Sequence, residues 1–451
     1  MKTRPPGPRG LPIVGTLLEF TRGDPVAALL RWSREHGDLS SFKIGPFELW
    51  LVNNPDSIRH VLQENYPNYP KSLNYRELAL MLGDGLLTSE GPLWLKQRKL
   101  VQPAFHARHD AAYLQPMTAA IETIVADWER SAPRELDVAH EMMRLALLVV
   151  GRALFGSDLS QQASDLGAAL KVLLQFIEKR TIQFVRLPYS WPTPAHVKAW
   201  RATRVLDRVV YDVIRARRKS GDLGHDLLGM LLRARDDEAR GMTDDEVRNE
   251  VLTLLMAGHE TTANTLAWAW WLLARHPEVE EKLAAEAATI EGPLSLEALE
   301  KLRWPGLVVN EALRLYPPAW WIERQAAGPD EIQGFSVRPG TFMVVSPYTI
   351  HRSDKYWDAP DEFRPERWEQ PDTRPRGTYI PFGMGPRVCV GSRFALLEAR
   401  AALVLIARRF KLSLVPGHEV KPESLVTLRP RGGIRMKVER RARREAPVSS
   451  R

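Results

Sequence analysis

A capping box fixes one end of the longest regular segment in this chain. In "GMTDDEVRNE", Thr243 stands at the cap and Glu246 three residues on, so each can satisfy a free amide of the other's turn. Asp244 and Asp245 favour the positive end of a helix. Helical periodicity then runs to about Arg275 and stops before Pro277. At 1.5 Å per residue such a helix is roughly 45–50 Å long, enough to cross a large domain. Its middle is apolar on most faces, which predicts burial. The rest of the chain must therefore wrap around it.

Other segments supply that wrapping. "DPVAALLRWSREHGD" has helical period and a glycine stop at Gly37. "AAYLQPMTAAIETIVADWER", "AHEMMRLALLVVGRALFG" and "AWRATRVLDRVVYDVIRARRKSG" are helical, and the prolines of "VRLPYSWPTPAH" force a loop between the last two. Residues 5–15, "PPGPRGLPIVG", read as a rigid extended lead-in. Strand alternation appears in three places: around Gly45-Pro46, around Gly340, and in "LVTLRPRGGIRMKVER", which reads as a closing hairpin. The expectation is mainly α with small β-sheets, in a single domain over 1–440. The tail 441–451, "RARREAPVSSR", reads as basic and disordered.

Composition narrows the function. Of 451 residues 44% are hydrophobic, ample for a core, and the net charge of +8 is spread along the chain. No interleaved aromatic or zinc pattern supports nucleic-acid binding. One cysteine excludes an internal disulfide and a cysteine-rich zinc site. No apolar run is long enough for a membrane span, and no signal peptide is evident. A soluble, cytoplasmic protein without a transmembrane anchor is expected.

Four local patterns carry chemistry. In "PFGMGPRVCVG", Gly383 and Gly385 permit turns of positive φ before Cys389, and Gly391 opens an amphipathic helix. A thiolate there would gain from the helix N-terminus and is a soft ligand suited to iron. Phe382 can shield the sulfur, and Arg387 can pair with an anion. The plainer alternative is a buried structural thiol. In "AGHETT", Gly258 leaves room for a small ligand, Thr261 can hydrogen-bond it and Glu260 can relay protons. The plainer alternative is a core helix with Thr261 bonded to its own i−4 carbonyl. In "EALR", Glu311 and Arg314 are i, i+3 neighbours that Arg367 of "FRPERW" can join in a structural Glu–Arg–Arg cluster. In "WLKQR", Trp94 and Arg98 share a helix face, and both can donate to a carboxylate.

In this order the four patterns resemble the cytochrome P-450 family of haem-thiolate monooxygenases. The loop matches as Phe382, Gly385, Arg387, Cys389 and Gly391, and the resemblance runs from the proline lead-in to the last strands. It implies haem b between the long helix and the cysteine-loop helix, with Cys389 as the iron ligand. Trp94, Arg98, Arg387 and Arg324 would bind the haem propionates. Thr261 and Glu260 would deliver protons to bound dioxygen, His259 being incidental. Electrons would come from NAD(P)H through a ferredoxin or flavodoxin-type donor and its reductase, because no fused redox segment follows. Arg98, Lys99 and Arg393 would help them dock. The short lead-in before the prolines resembles the soluble bacterial type.

The resemblance also places a substrate pocket at Tyr75, Leu78, Leu82, Leu87, Phe176, Ala257, Trp320, Trp321, Ile322, Val426 and Thr427. Mostly apolar, it suits a long apolar ligand. "GRALFG", "EALRLYPPAWW" and "VTLRPRGG" resemble a thermophilic carotenoid-hydroxylating branch. A carotenoid or terpenoid substrate is therefore expected. The rivals are a fatty-acid hydroxylase, a peroxide-driven peroxygenase and a non-catalytic haem sensor.

Overall fold

The computed structural model describes residues 4–441, except 157–162, 182, 184–185, 225 and 236–239. The central helix spans Asp244–Arg275 with both bonds of its capping box made: Glu246 N–H donates to Thr243 Oγ1 at 3.1 Å and Thr243 N–H to Glu246 Oε2 at 2.8 Å. It packs against helices Val138–Val149, Pro194–Ser220, Trp304–Leu315 and Ser392–Ala407. Trp268 and Trp270 lie fully buried along it. An apolar helix this long is stable only when enclosed, and the enclosure forms the main core. Among the described residues no helix is long and apolar enough to cross a membrane.

The sheets lie at the edges. A four-stranded sheet orders Leu39–Ile44, Phe47–Val52, Phe342–Val345 and Ile322–Gln325, with only the middle pair parallel. Gly45 turns the first pair with φ 58°. Around Gly340 the expected strands divide: Asp330–Ile332 and Phe335–Val337 form a separate ribbon.

The expected closing hairpin is not one. Leu428–Pro430 pairs with Pro422–Ser424, whereas Arg435–Arg440 lies between Arg134–Asp137 and Phe410–Leu414. Gly432 and Gly433 both take positive φ, 74° and 85°, and redirect the chain. Asp137 then takes the Ile434 N–H at 2.9 Å and starts the strand in the other sheet. Arg441, expected in the tail, belongs to the fold. It donates to the Phe410 carbonyl at 3.1 Å and pairs with Glu280 and Glu281. Residues 442–451 lie outside the described residues.

"AHEMMRLALLVVGRALFG" is helical but not uniformly so. It is α-helical over Val138–Val149 and widens to a π-type turn at Val150–Leu154. That turn meets the central helix at Gly258, where a Cβ would stand 3.4 Å from Val150 Cγ2. No other atom lies within 4 Å of that Cβ position, and Gly258 is half-buried beside exposed Ala257.

Candidate active site

The cysteine loop is a short turn held at both ends. Gly383 and Gly385 both have φ 75°, and Pro386 is the second residue of a 3-10 turn over Gly385–Arg387. Proline suits that position because its fixed φ and missing N–H cost nothing there. Met384 packs outward against the smaller core around Ile322 and Tyr69. Cys389 N–H donates to the Phe382 carbonyl at 2.9 Å. A Cβ at Gly385 would lie 2.1 Å from the Leu62 carbonyl oxygen. Gly385→Ala should therefore cost more than the roughly 1–2 kcal/mol of a left-handed backbone. The expected result is a lower melting temperature and less retained haem, read by thermal unfolding and by Soret absorbance per protein.

Gly391 caps the helix Ser392–Ala407, as expected. Cys389 is exposed along one face, yet protein crowds its sulfur. That burial pushes the thiol pKa up, while the Gly391 amide and Arg98 favour the thiolate. A positive metal ion would complete that balance.

A ring of cations stands beside the loop. Arg98, on the helix Gly91–Val101, donates to the Val388 carbonyl at 2.7 Å and to Gln102 at 3.1 Å. Arg387 lies over the Trp94 ring, 4.3 Å from its centre, and pairs with Glu90. Its Nε and Nη1 are buried without a hydrogen-bond partner. Arg324 is buried and donates to the Glu323 carbonyl at 2.8 Å. Lys71 bridges to Arg324 and donates to the Leu86 and Ser89 carbonyls at 3.1 and 2.7 Å. Burial, then Arg387 and Arg324, bring the Lys71 ammonium down to about 7. Four cationic side chains, two unsatisfied N–H groups and one nearby carboxylate call for an anion. With a soft sulfur alongside, the donor set fits an iron porphyrin with carboxylate edges. Lys71 and Glu90 were not found from the sequence, where no spacing ties them to Arg387.

The central helix opens on one side only. Ala257 is exposed and Thr261 half-buried, while His259, Glu260 and Thr262 are buried. Thr261 Oγ1 donates to the Ala257 carbonyl at 2.5 Å, the local bond of a core threonine, and leaves its acceptor lone pairs. Glu260 is set back from this face. Its Oε1 accepts from Thr427 at 2.8 Å, and Asn264 donates to the same hydroxyl at 3.0 Å. Burial raises its pKa, while Thr427 opposes that rise. His259 bonds the Met143 carbonyl at 3.0 Å, and burial lowers its pKa to about 4, so it is a neutral core residue.

Several expected pocket residues are buried among protein neighbours. Trp320 is 7% exposed and donates to the Leu425 carbonyl at 2.8 Å, so it is core. Trp321 is half-buried and donates to Glu323 at 3.1 Å. Leu82 is buried in the main core. Phe176 is buried against Tyr189 and His196. Thr427 is buried in the Glu260 network. Aromatic and aliphatic identity does not separate pocket from core, and here neighbours decide. Tyr75, Leu78, Leu87 and Ile322 are half-buried, and Val426 is exposed.

The structure brings Glu311, Arg314 and Arg367 together, with Glu311 and Arg314 fully buried. Arg314 donates to Glu311 at 3.0 and 2.8 Å, and Arg367 adds a third bond at 3.0 Å. Arg364 N–H and Trp368 Nε1 supply two more, at 3.0 and 2.9 Å. Arg314 also holds the carbonyls of His351, Pro360 and Glu362. His351 then accepts the Ile380 N–H at 2.9 Å, just before the cysteine loop. Arg393, expected at a docking face, is tied to Asp110 at 2.6 Å.

Comparison with known proteins agrees with this geometry. The sequence model of the cytochrome P-450 family matches residues 5–438. Cyclooctatin synthase of Streptomyces melanosporofaciens is 36% identical over 440 residues, covering 95% of this chain and 94% of its own. The chloroplastic carotene epsilon-monooxygenase of Arabidopsis thaliana is 29% identical, covering 96% and 86%. Among solved structures, the cytochrome P450DA heme domain superposes with a TM-score of 0.89 at 28% identity, over 98% of this chain and 99% of the other.

Proposed function

The chain belongs to the cytochrome P-450 family of haem monooxygenases, and from that premise we propose that it oxygenates a long apolar isoprenoid of the carotenoid or terpenoid type. The observation that carries this reading is the single open face of the central helix at Ala257 and Thr261, on a helix packed against the one that follows Cys389. An open helix face with one side-chain hydroxyl, next to the methyl of Ala257, suits a ligand with few polar groups. The 29% identity to a carotene monooxygenase supports the substrate class.

When bound, the haem iron supplies the activation of dioxygen that lets one oxygen atom enter a C–H bond. The chain's own groups hold and tune it. Cys389 would ligate the iron, with Gly391 N–H and Arg98 stabilising the thiolate. Arg98, Arg387 and Arg324, beside Trp94, would hold the propionates, and Lys71 joins them. Thr261 Oγ1 would hold a proton at the cleft. Glu260, its pKa raised by burial, would stand behind it as a proton reservoir through Thr427.

Electrons would arrive from NAD(P)H through a ferredoxin or flavodoxin-type donor and its reductase. The cysteine side, with Arg98 and Lys99, would receive the donor, and the cytoplasm is the expected compartment. Spectral titration with carotenes, terpenes and fatty acids tests the substrate class. A spin-state shift with carotenes or terpenes supports the reading, and a shift with fatty acids alone contradicts it. Thr261→Ala should lower product formed per NAD(P)H consumed by about a hundredfold, the low end of the general acid–base range. An unchanged ratio would remove Thr261 from proton delivery.

A further inference from the structure

Two titratable groups, Glu250 buried and Lys71 half-buried, take no part in the chemistry above as proton carriers, yet both hold the backbone of one residue, Leu86. Glu250 is fully buried in the central helix, and its Oε2 accepts the Leu86 N–H at 3.1 Å. Lys71 donates to the Leu86 carbonyl at 3.1 Å from the other side. Leu86 lies in the segment 83–90, between the helices Tyr75–Leu82 and Gly91–Val101.

The fit of that segment on the helix is close. A Cβ at Gly85 would stand 2.2 Å from Thr253 Oγ1 and 2.8 Å from the Asn249 carbonyl oxygen. A Cβ at Gly83 would stand 2.1 Å from Asn249 Oδ1. Glycine is therefore what allows this approach. Glu250 precedes Ala257 by seven residues, two helical turns, so the segment rests on the same helix face that opens at Ala257.

Burying a carboxyl is costly, and burial raises the Glu250 pKa to about 7. Its Oε1 and the Thr253 hydroxyl also lack hydrogen-bond partners among the described residues. An apolar residue would avoid that cost if packing were the only need. What Glu250 alone provides is an acceptor for the Leu86 amide.

We propose that Glu250 is a positioning residue: by holding the Leu86 amide it fixes segment 83–90 as the cleft wall that grips the apolar body of the substrate. The proposal rests on the haem-thiolate reading, and the probes separate the two. Imidazole ligates haem iron without filling the cleft, whereas 1-dodecylimidazole also places an alkyl chain in it. Glu250→Leu removes the acceptor, and Glu250→Gln keeps an oxygen at the same place.

The expected result in holoprotein is that Glu250→Leu weakens dodecylimidazole by about tenfold, the upper size of one lost hydrogen bond. Imidazole affinity stays the same, and Glu250→Gln restores most of the loss. Equal affinities for dodecylimidazole in all three proteins overturn the proposal. No spectral shift with imidazole in the unaltered protein would overturn the haem reading instead. Should Glu250→Leu fail to fold, hydrogen exchange in the unaltered protein decides. The Leu86 amide should exchange as slowly as amides of the central helix, and exchange at open-loop rates overturns the clamp.

Discussion

Cys389→Ala is expected to abolish the Soret band that reduced, carbon monoxide-bound protein shows when a thiolate ligates haem iron. The reason lies in the loop. Its glycines, the Cys389 N–H bond to Phe382 and the Gly391 amide fix the place of one sulfur. Cys389 is the only cysteine in the chain, so no other thiol can replace it. Alanine suits the backbone and leaves the fold unstrained. Circular dichroism should therefore remain close to that of the unaltered protein while the band is lost. A band that persists in Cys389→Ala would remove the sulfur from the coordination sphere.

Glu311→Ala should be the most damaging single change to the fold. Five donors converge on this carboxylate, and neither it nor Arg314 is exposed. Removing the acceptor leaves a buried guanidinium uncompensated, which costs about 3–5 kcal/mol. Typical folded proteins hold only about 5–15 kcal/mol. The damage also reaches the haem loop through His351, which Arg314 and burial keep neutral and which holds Ile380. Glu311→Ala should appear as a large fall in melting temperature and loss of haem on purification. Unaltered melting and haem content would show that the cluster is dispensable.

Short-range chemistry made much of this fold readable. The capping box at Thr243, the glycine stop at Gly37 and the turn at Gly45 each need only a few adjacent residues, and all three appear. Gly383 and Gly385 were readable for the same reason, because positive φ favours glycine. Convergence over long range was not readable. Lys71, Glu90 and Arg387 come from three separate segments, and nothing in their spacing announces a cluster. Trp320 is a different case. A large ring signals close contact, but not which partner is touched, and here the partner is the Leu425 carbonyl. The last strands failed because two adjacent glycines can close a hairpin or carry the chain to another sheet.

The central claim is that this chain inserts an oxygen atom from dioxygen into an apolar substrate. It is tested most directly by turnover under isotopically heavy dioxygen, with β-carotene, NAD(P)H and a surrogate ferredoxin and reductase. The account predicts a hydroxylated product carrying one heavy oxygen atom, and none from heavy water. Product formed only with added peroxide, or with oxygen drawn from water, would contradict it.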